Sequence, residues 1–202
     1  MISPSKDISL VNGSTNFVVG RNYYFYDRLR MTKNSQPLLY QQLLTAAKKS
    51  IIIWDPHSHK CKGDIFQEIQ QDNIYIEILT ICRPGENKVE IQDFANTILK
   101  AIDEKKVPKC QVKIYALMSK ELRKTKWAEW HDRFLIIDEK DVYMVGASLD
   151  GHESSNKSHG ICRLTETEDI NLVIDAYKAY RDHIVDTSNG VGGNGYKYKT
   201  SR

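Results

Sequence analysis

Runs of β-branched residues recur along the first two thirds of the chain, with helix-period stretches between them. Ser50 to Asp55 holds three consecutive isoleucines and closes on Trp54. Ile74 to Ile81 is a second such run, and Cys110 to Met118 a third, with Val112, Ile114 and Ala116 alternating with polar neighbours. Between the last two, Lys88 to Lys105 puts Ile91, Phe94, Ala95, Ile98, Leu99 and Ile102 on one face of a helix. Pro37 to Lys49 reads as a helix with Leu38, Leu39, Leu43 and Leu44 on its apolar stripe, and Asp64 to Gln71 as a short one. Strands that alternate with helices imply an α/β sandwich, because a parallel neighbour is reached only through a crossover.

The pattern then changes. Phe134 to Ile137 is a four-residue apolar run, Asp138 to Asp141 a turn, and Val142 to Ala147 a return strand. Ile161 to Leu164 is one more strand. Thr165 to Val185 is a terminal helix, with Thr165 and Glu168 spaced for a capping box. A hairpin added to crossover-linked strands predicts a mixed, mainly parallel sheet flanked by helices. At 202 residues one domain is expected, over 36–186. Residues 1–35 read as an arm or small β element covering a sheet edge or a partner chain. Residues 187–202, rich in Gly, Ser, Asn and Lys, read as a disordered tail.

The functional reading centres on the hairpin. Side chains two apart on a strand share a face, so His131 and Arg133 project together. An imidazole beside a guanidinium suits an anionic oxygen, above all a phosphate. This segment resembles the phospholipase D superfamily signature, His-x-Lys-(x)4-Asp followed by a Gly-Ser element. His131 matches the nucleophile, Asp138 the aspartate, and Gly146 to Ser148 the second element. Arg133 stands where the family has lysine. The second element reads Gly-Ala-Ser, one residue late, with no Asn at the expected place after it. The later Asn/Glu pair would fall near Asn156 and His159, without the Glu.

The resemblance implies a phospholipase D-like fold and a phosphohistidine mechanism that needs no metal and no cofactor. His131 would be nucleophile, Arg133 the phosphate clamp, Ser148 a hydrogen-bond donor, and Asp138 would fix the ring or pair with Arg133. No internal repeat is present. The family builds one active site from two signatures, so the resemblance implies a homodimer whose two His131 residues meet across the axis.

Ligands of α/β sheets sit at strand ends, and His57, His59 and His159 all fall beside such ends. His57, His59, Asp55 and Cys61 are also of metal-ligand type, but His-x-His-x-Cys is not a common zinc spacing; the preferred reading lines the cleft with this loop. Trp130, next to His131, is expected in the cleft, and Trp54 in the core. The four scattered cysteines suggest reduced thiols and a cytoplasmic setting. Met1 to Asp7 has no signal-peptide core, and no apolar run is long enough to span a membrane.

A net charge of +3 proves no nucleic-acid partner. The local cluster of Lys105, Lys106, Lys109, Lys113, Lys120, Arg123, Lys124 and Lys126 ahead of the signature suits a phosphate backbone better. The expectation is a metal-independent phosphodiesterase, a nuclease on DNA or RNA. The competing expectation is a catalytically degenerate module binding phosphate-containing ligands or a protein, since His131-Asp132-Arg133 is compatible with the phospholipase D-like domains of MIT-domain proteins. A third is a regulatory or toxin-like subunit acting with another protein.

Overall fold

The three β-branched runs fold as neighbouring parallel strands at the centre of one sheet. The structure is a computed structural model that describes residues 23–26, 40, 42–61, 64–66, 69, 71, 73–82, 88–103, 110–118, 130–149, 159–188 and 195–201. Its strands are β1 (Tyr23–Tyr26), β2 (Ser50–Trp54), β3 (Ile74–Cys82), β4 (Cys110–Met118), β5 (Phe134–Ile137), β6 (Asp141–Val145), β7 (His159–Arg163) and β8 (Gly195–Ser201). The two long helices are α1 (Lys88–Asp103) and α2 (Thr167–Ser188); residues 42–45 are also helical, and 3₁₀ turns lie at Ser58–Lys60 and Asp64–Phe66.

These eight strands lie in the order β1-β7-β6-β5-β2-β3-β4-β8. The sheet is mixed, as expected. Its parallel part is confined to β2–β3 and β3–β4, and the other five pairings are antiparallel. The expectation of a mainly parallel sheet is therefore corrected: two of the seven pairings are parallel, and the chain crosses back from β4 to lay β5 antiparallel beside β2.

Two apolar layers enclose the sheet. Ile51, Ile53, Ile76, Ile78, Ile114, Leu135 and Ile137 pack one face against Leu43 and Leu44 and against Phe94, Ala95 and Ile98 of α1. Ile52, Trp54, Leu79, Tyr115 and Ile136 pack the other against Ile174, Tyr177 and Ile184 of α2. The alternation of faces along each strand is the period-two rule. The last strand is a correction, because residues 195–201 pair with β4 from Leu117↔Gly195 to Gln111↔Ser201 rather than forming a disordered tail. The sequence there, Gly-Tyr-Lys-Tyr-Lys-Thr-Ser, alternates residue types of high strand propensity with Lys. At the opposite edge β1 pairs with β7, and a Cβ at Gly160 would come within 2.8 Å of the hydroxyl of the exposed Tyr23, whose side chain would swing aside.

A buried carboxylate ties α2 to the sheet. Glu77 Oε1 accepts the Tyr75 hydroxyl and, at 3.2 Å, the Tyr115 hydroxyl; Oε2 accepts the Tyr177 hydroxyl. Arg181 Nη1 lies 3.9 Å from Oε2. Burial, and then the Glu77 charge, pushes the Tyr115 hydroxyl up to about 12 and the Tyr177 hydroxyl well above its ordinary value. The tyrosines therefore stay protonated donors, and the buried charge is partnered on both oxygens. The helix itself begins at Thr167, not Thr165. Thr165 Oγ1 contacts Glu166 Oε1 at 3.1 Å, so the expected Thr165/Glu168 capping box does not form.

Candidate active site

Strand direction gathers the polar loops on one rim of the sheet. β2, β3 and β4 end there at Trp54, Cys82 and Met118, β6 ends there at Val145, and β5 and β7 start there at Phe134 and His159. Trp54 pairs with both Leu79 and Phe134, and Phe134 with Met144, which fixes the rim laterally.

Asp55, the first residue beyond β2, is the centre of this rim and is 3% exposed. Its Oδ1 accepts the His57 backbone N–H at 2.9 Å, and its Oδ2 accepts the Leu149 N–H at 2.6 Å. Arg133 Nε lies 3.5 Å from Oδ1, an ion pair rather than an aligned hydrogen bond. One carboxylate thus joins the loop after β2, the loop after β6 and the segment leading into β5. Its place was legible as a residue ending a β-branched run, but only long-range folding brings Leu149 and Arg133 to it.

The expected site residues arrange around that centre. His131 is exposed, two residues ahead of Arg133, and its carbonyl receives Arg133 Nη1 at 3.5 Å. Both precede the ladder rather than sitting within it, although the Arg133 carbonyl already accepts Val145 N–H at 2.8 Å. Ser148 is half-buried and adjoins Leu149, so the Asp55 bond holds its backbone near Arg133. His57 and His59 are half-buried on the loop that folds back over β3. Pro56 O accepts Ile81 N–H at 3.4 Å and the Thr80 hydroxyl at 3.3 Å, and His59 Nδ1 lies 3.3 Å from that hydroxyl. The rim therefore offers an exposed imidazole, a half-buried guanidinium and a serine, a set suited to an anionic phosphoryl oxygen.

The chain is similar to solved structures. To NucT from Helicobacter pylori it is 17% identical, over 79% of this chain and 95% of that one, with a TM-score of 0.50. To Nuc from Salmonella typhimurium, a phospholipase D family member, it is 12% identical over 87% and 95%, with a TM-score of 0.48. The fold is phospholipase D-like. A phosphatidylserine synthase from Haemophilus influenzae is 11% identical over 80% of this chain and 38% of its own, with a TM-score of 0.46. No family model and no curated protein matches the chain.

Within this phospholipase D-like sheet two expected site residues lie elsewhere. Asp138 sits at the opposite rim, five residues beyond Arg133, on the order of 15 Å along the strand. There it takes a positive φ of 54° in the β5–β6 turn, beside Glu139 at 52°, and turns its carboxylate onto the start of β2. Its Oδ1 accepts backbone N–H groups of Lys48, Lys49 and Ser50 at 3.1, 2.7 and 3.0 Å, so it neither orients His131 nor pairs with Arg133. Burial pushes its carboxyl up, but the Ser50, Lys49 and Lys48 amides and the Lys49 charge outweigh that and hold it below its ordinary value.

Trp130 is the second correction. It is 8% exposed and meets Trp54 and Tyr180 edge-on, with centroids 5.9 and 5.1 Å apart. Its large apolar area is satisfied under α2, not in the cleft. Lys113 also leaves the basic cluster, since its Nζ lies 4.8 Å over the Tyr75 ring near the start of β4. Asn156 and most of the cluster lie outside the described residues. His159 starts β7 on the site rim, and its side chain is outside the described set. Among the described residues no group of three or more His, Cys, Asp and Glu side chains could hold a metal ion, the 55–61 loop included. No helix among them is long and apolar enough to cross a membrane.

Proposed function

We propose that the chain is a phosphodiesterase that cleaves nucleic acid through a phosphohistidine at His131, in a site completed by a second copy. The observation that carries this reading is the exposed imidazole of His131 on the rim where Arg133 and Ser148 converge. One His131 ring nitrogen attacks phosphorus as the P–O bond to the leaving oxygen breaks. His131 of the partner subunit gives that oxygen its proton. Now neutral, it takes a proton from water, whose oxygen displaces the histidine and frees the phosphate. Splitting one displacement into two is the general gain from covalent catalysis. Arg133 meets the non-bridging oxygens and Ser148 donates one hydrogen bond. No step is routed through a metal.

Nucleic acid is favoured over a lipid by the 119–129 segment, which carries Lys120, Arg123, Lys124 and Lys126. The described residues that flank it in the chain, Met118 at the end of β4 and His131, lie at the site rim.

One observation favours a second reading, a non-catalytic phosphate-binding module. Arg133 pairs with the buried Asp55, which cancels charge that a catalytic clamp would direct at the phosphate. The same experiment separates the two. Single- and double-stranded DNA, RNA and bis-p-nitrophenyl phosphate are incubated with the chain in EDTA, beside His131→Ala. Cleavage that survives the chelator and is lost in the variant supports the phosphodiesterase. Phosphate binding without cleavage of any substrate supports the module.

A further inference from the structure

We infer that Asp55 is the positioning residue that aims Arg133 at the bound phosphate; the inference rests on the phosphate reading of this site. The carboxylate is buried, and each of its oxygens is committed. Oδ1 serves His57 N–H at 2.9 Å and Arg133 Nε at 3.5 Å, and Oδ2 serves Leu149 N–H at 2.6 Å. Its neighbours belong to three chain segments far apart in sequence.

The ion pair draws the Nε edge of the guanidinium toward Asp55, where Nε is buried with no aligned hydrogen bond of its own, and so limits how far the fork can swing. The terminal nitrogens are left for a ligand, with only a long 3.5 Å contact from Nη1 to the His131 carbonyl. A planar fork held in this way presents parallel N–H groups to two phosphoryl oxygens. The same carboxylate sets the distance between Arg133 and the Ser148–Leu149 backbone. A lysine has no counterpart of Nε and could not be held in this manner while pointing its charge at a ligand. Arg133 and Asp55 are therefore read as one device, in which the arginine is not a stand-in for the family's lysine.

Positioning and simple electrostatics predict opposite signs. A carboxylate this close repels an anion, so removing its charge should tighten phosphate binding if charge were all it contributed. If it holds the fork, removal weakens binding despite the gain in positive charge. The test measures inorganic phosphate affinity of the full chain by calorimetry for wild type, Asp55→Asn, Arg133→Gln and the double variant. The expected result is about tenfold weaker binding in Asp55→Asn, as for a clamp displaced by a fraction of an ångström. No further loss is expected when Asp55→Asn is added to Arg133→Gln.

Equal or tighter binding in Asp55→Asn, or an equal loss in both backgrounds, overturns the inference. The Arg133 Nε–H resonance gives a readout that needs no ligand. It should be dispersed and slow to exchange in wild type, and solvent-averaged in Asp55→Asn. If that variant does not fold, a solvent-averaged Nε–H in wild type alone overturns the pairing. Wild type that neither binds phosphate nor cleaves a phosphodiester overturns the phosphate reading itself, before any variant is made.

Discussion

Two aspartates mark the two rims of the sheet, and they use the same chemistry to different ends. Asp138 and Asp55 each collect backbone N–H groups that no strand or helix satisfies. Asp138 collects Lys48, Lys49 and Ser50, all from one short segment, and so it only pins the start of β2 to the hairpin turn. Asp55 collects one amide from each of two loops and adds a guanidinium from a third segment. A carboxylate facing only main chain is a staple. A carboxylate that also pairs with a charged, half-buried side chain bears on where that charge points. Exposure follows the same division: His131 is exposed beside Arg133, while no imidazole or guanidinium contacts Asp138 among the described residues.

The contrast can be broken most sharply at His131. His131→Ala should lower phosphodiester cleavage by roughly 10³-fold or more, since it removes both nucleophile and acid. Its melting temperature should stay near wild type, because exposed positions seldom matter to stability. Cleavage that persists in this variant would move the chemistry away from this rim.

Asp138→Ala should show the reverse. It leaves three amides without their acceptor at a partly solvated site, a cost of about 2 kcal/mol after allowing for solvent. Urea unfolding should register that loss, while phosphate affinity of the folded chain stays unchanged. A large affinity change with little loss of stability would give the far rim a functional role.

Arg133→Lys sharpens the comparison at the site rim. A single ammonium cannot serve both Asp55 and a ligand, so phosphate binding should fall by about tenfold with the charge conserved. Wild-type affinity in the lysine variant would mean that charge alone suffices.

Acid titration gives the smallest effect. The Asp138 carboxyl is held below its ordinary value in the folded chain, so the folded state binds fewer protons there than the unfolded chain. The stability it contributes is fully present above the unfolded pKa of 3.8 and is lost as pH falls through the lower folded value. Asp138→Asn should flatten that part of the stability curve, measured by urea midpoint between about pH 5 and pH 2. An unchanged acid slope would assign the loss to other carboxylates.

Much of the fold was legible because burial imposes periodicity. β4 and β5 have the bounds their apolar patterns predict, and β2, β3 and α1 lie within a residue or two of theirs. β8 was not legible, since Gly195–Ser201 has the composition of a tail and becomes a strand only beside the open edge of β4. The candidate site was legible in part. His131, Arg133 and Ser148 do reach one rim. Trp130 was misread because adjacency to His131 in sequence says nothing about which face an indole takes. Asp138 was misread because a short strand lies between it and Arg133.

The sequence by itself determined most of the segments that become strands and helices, which faces they bury, and that an imidazole and a guanidinium lie just ahead of β5. Local spacing suffices for those, because each is a property of a few consecutive residues. The tertiary structure alone decided which carboxylate meets Arg133. Asp55 and Arg133 are 78 positions apart in the chain, and only the antiparallel pairing of β2 with β5 brings Trp54 opposite Phe134. That register sets the residue after one strand beside the residue before the other. No short-range pattern carries it, because the energy that fixes it is the burial of two whole faces of the sheet.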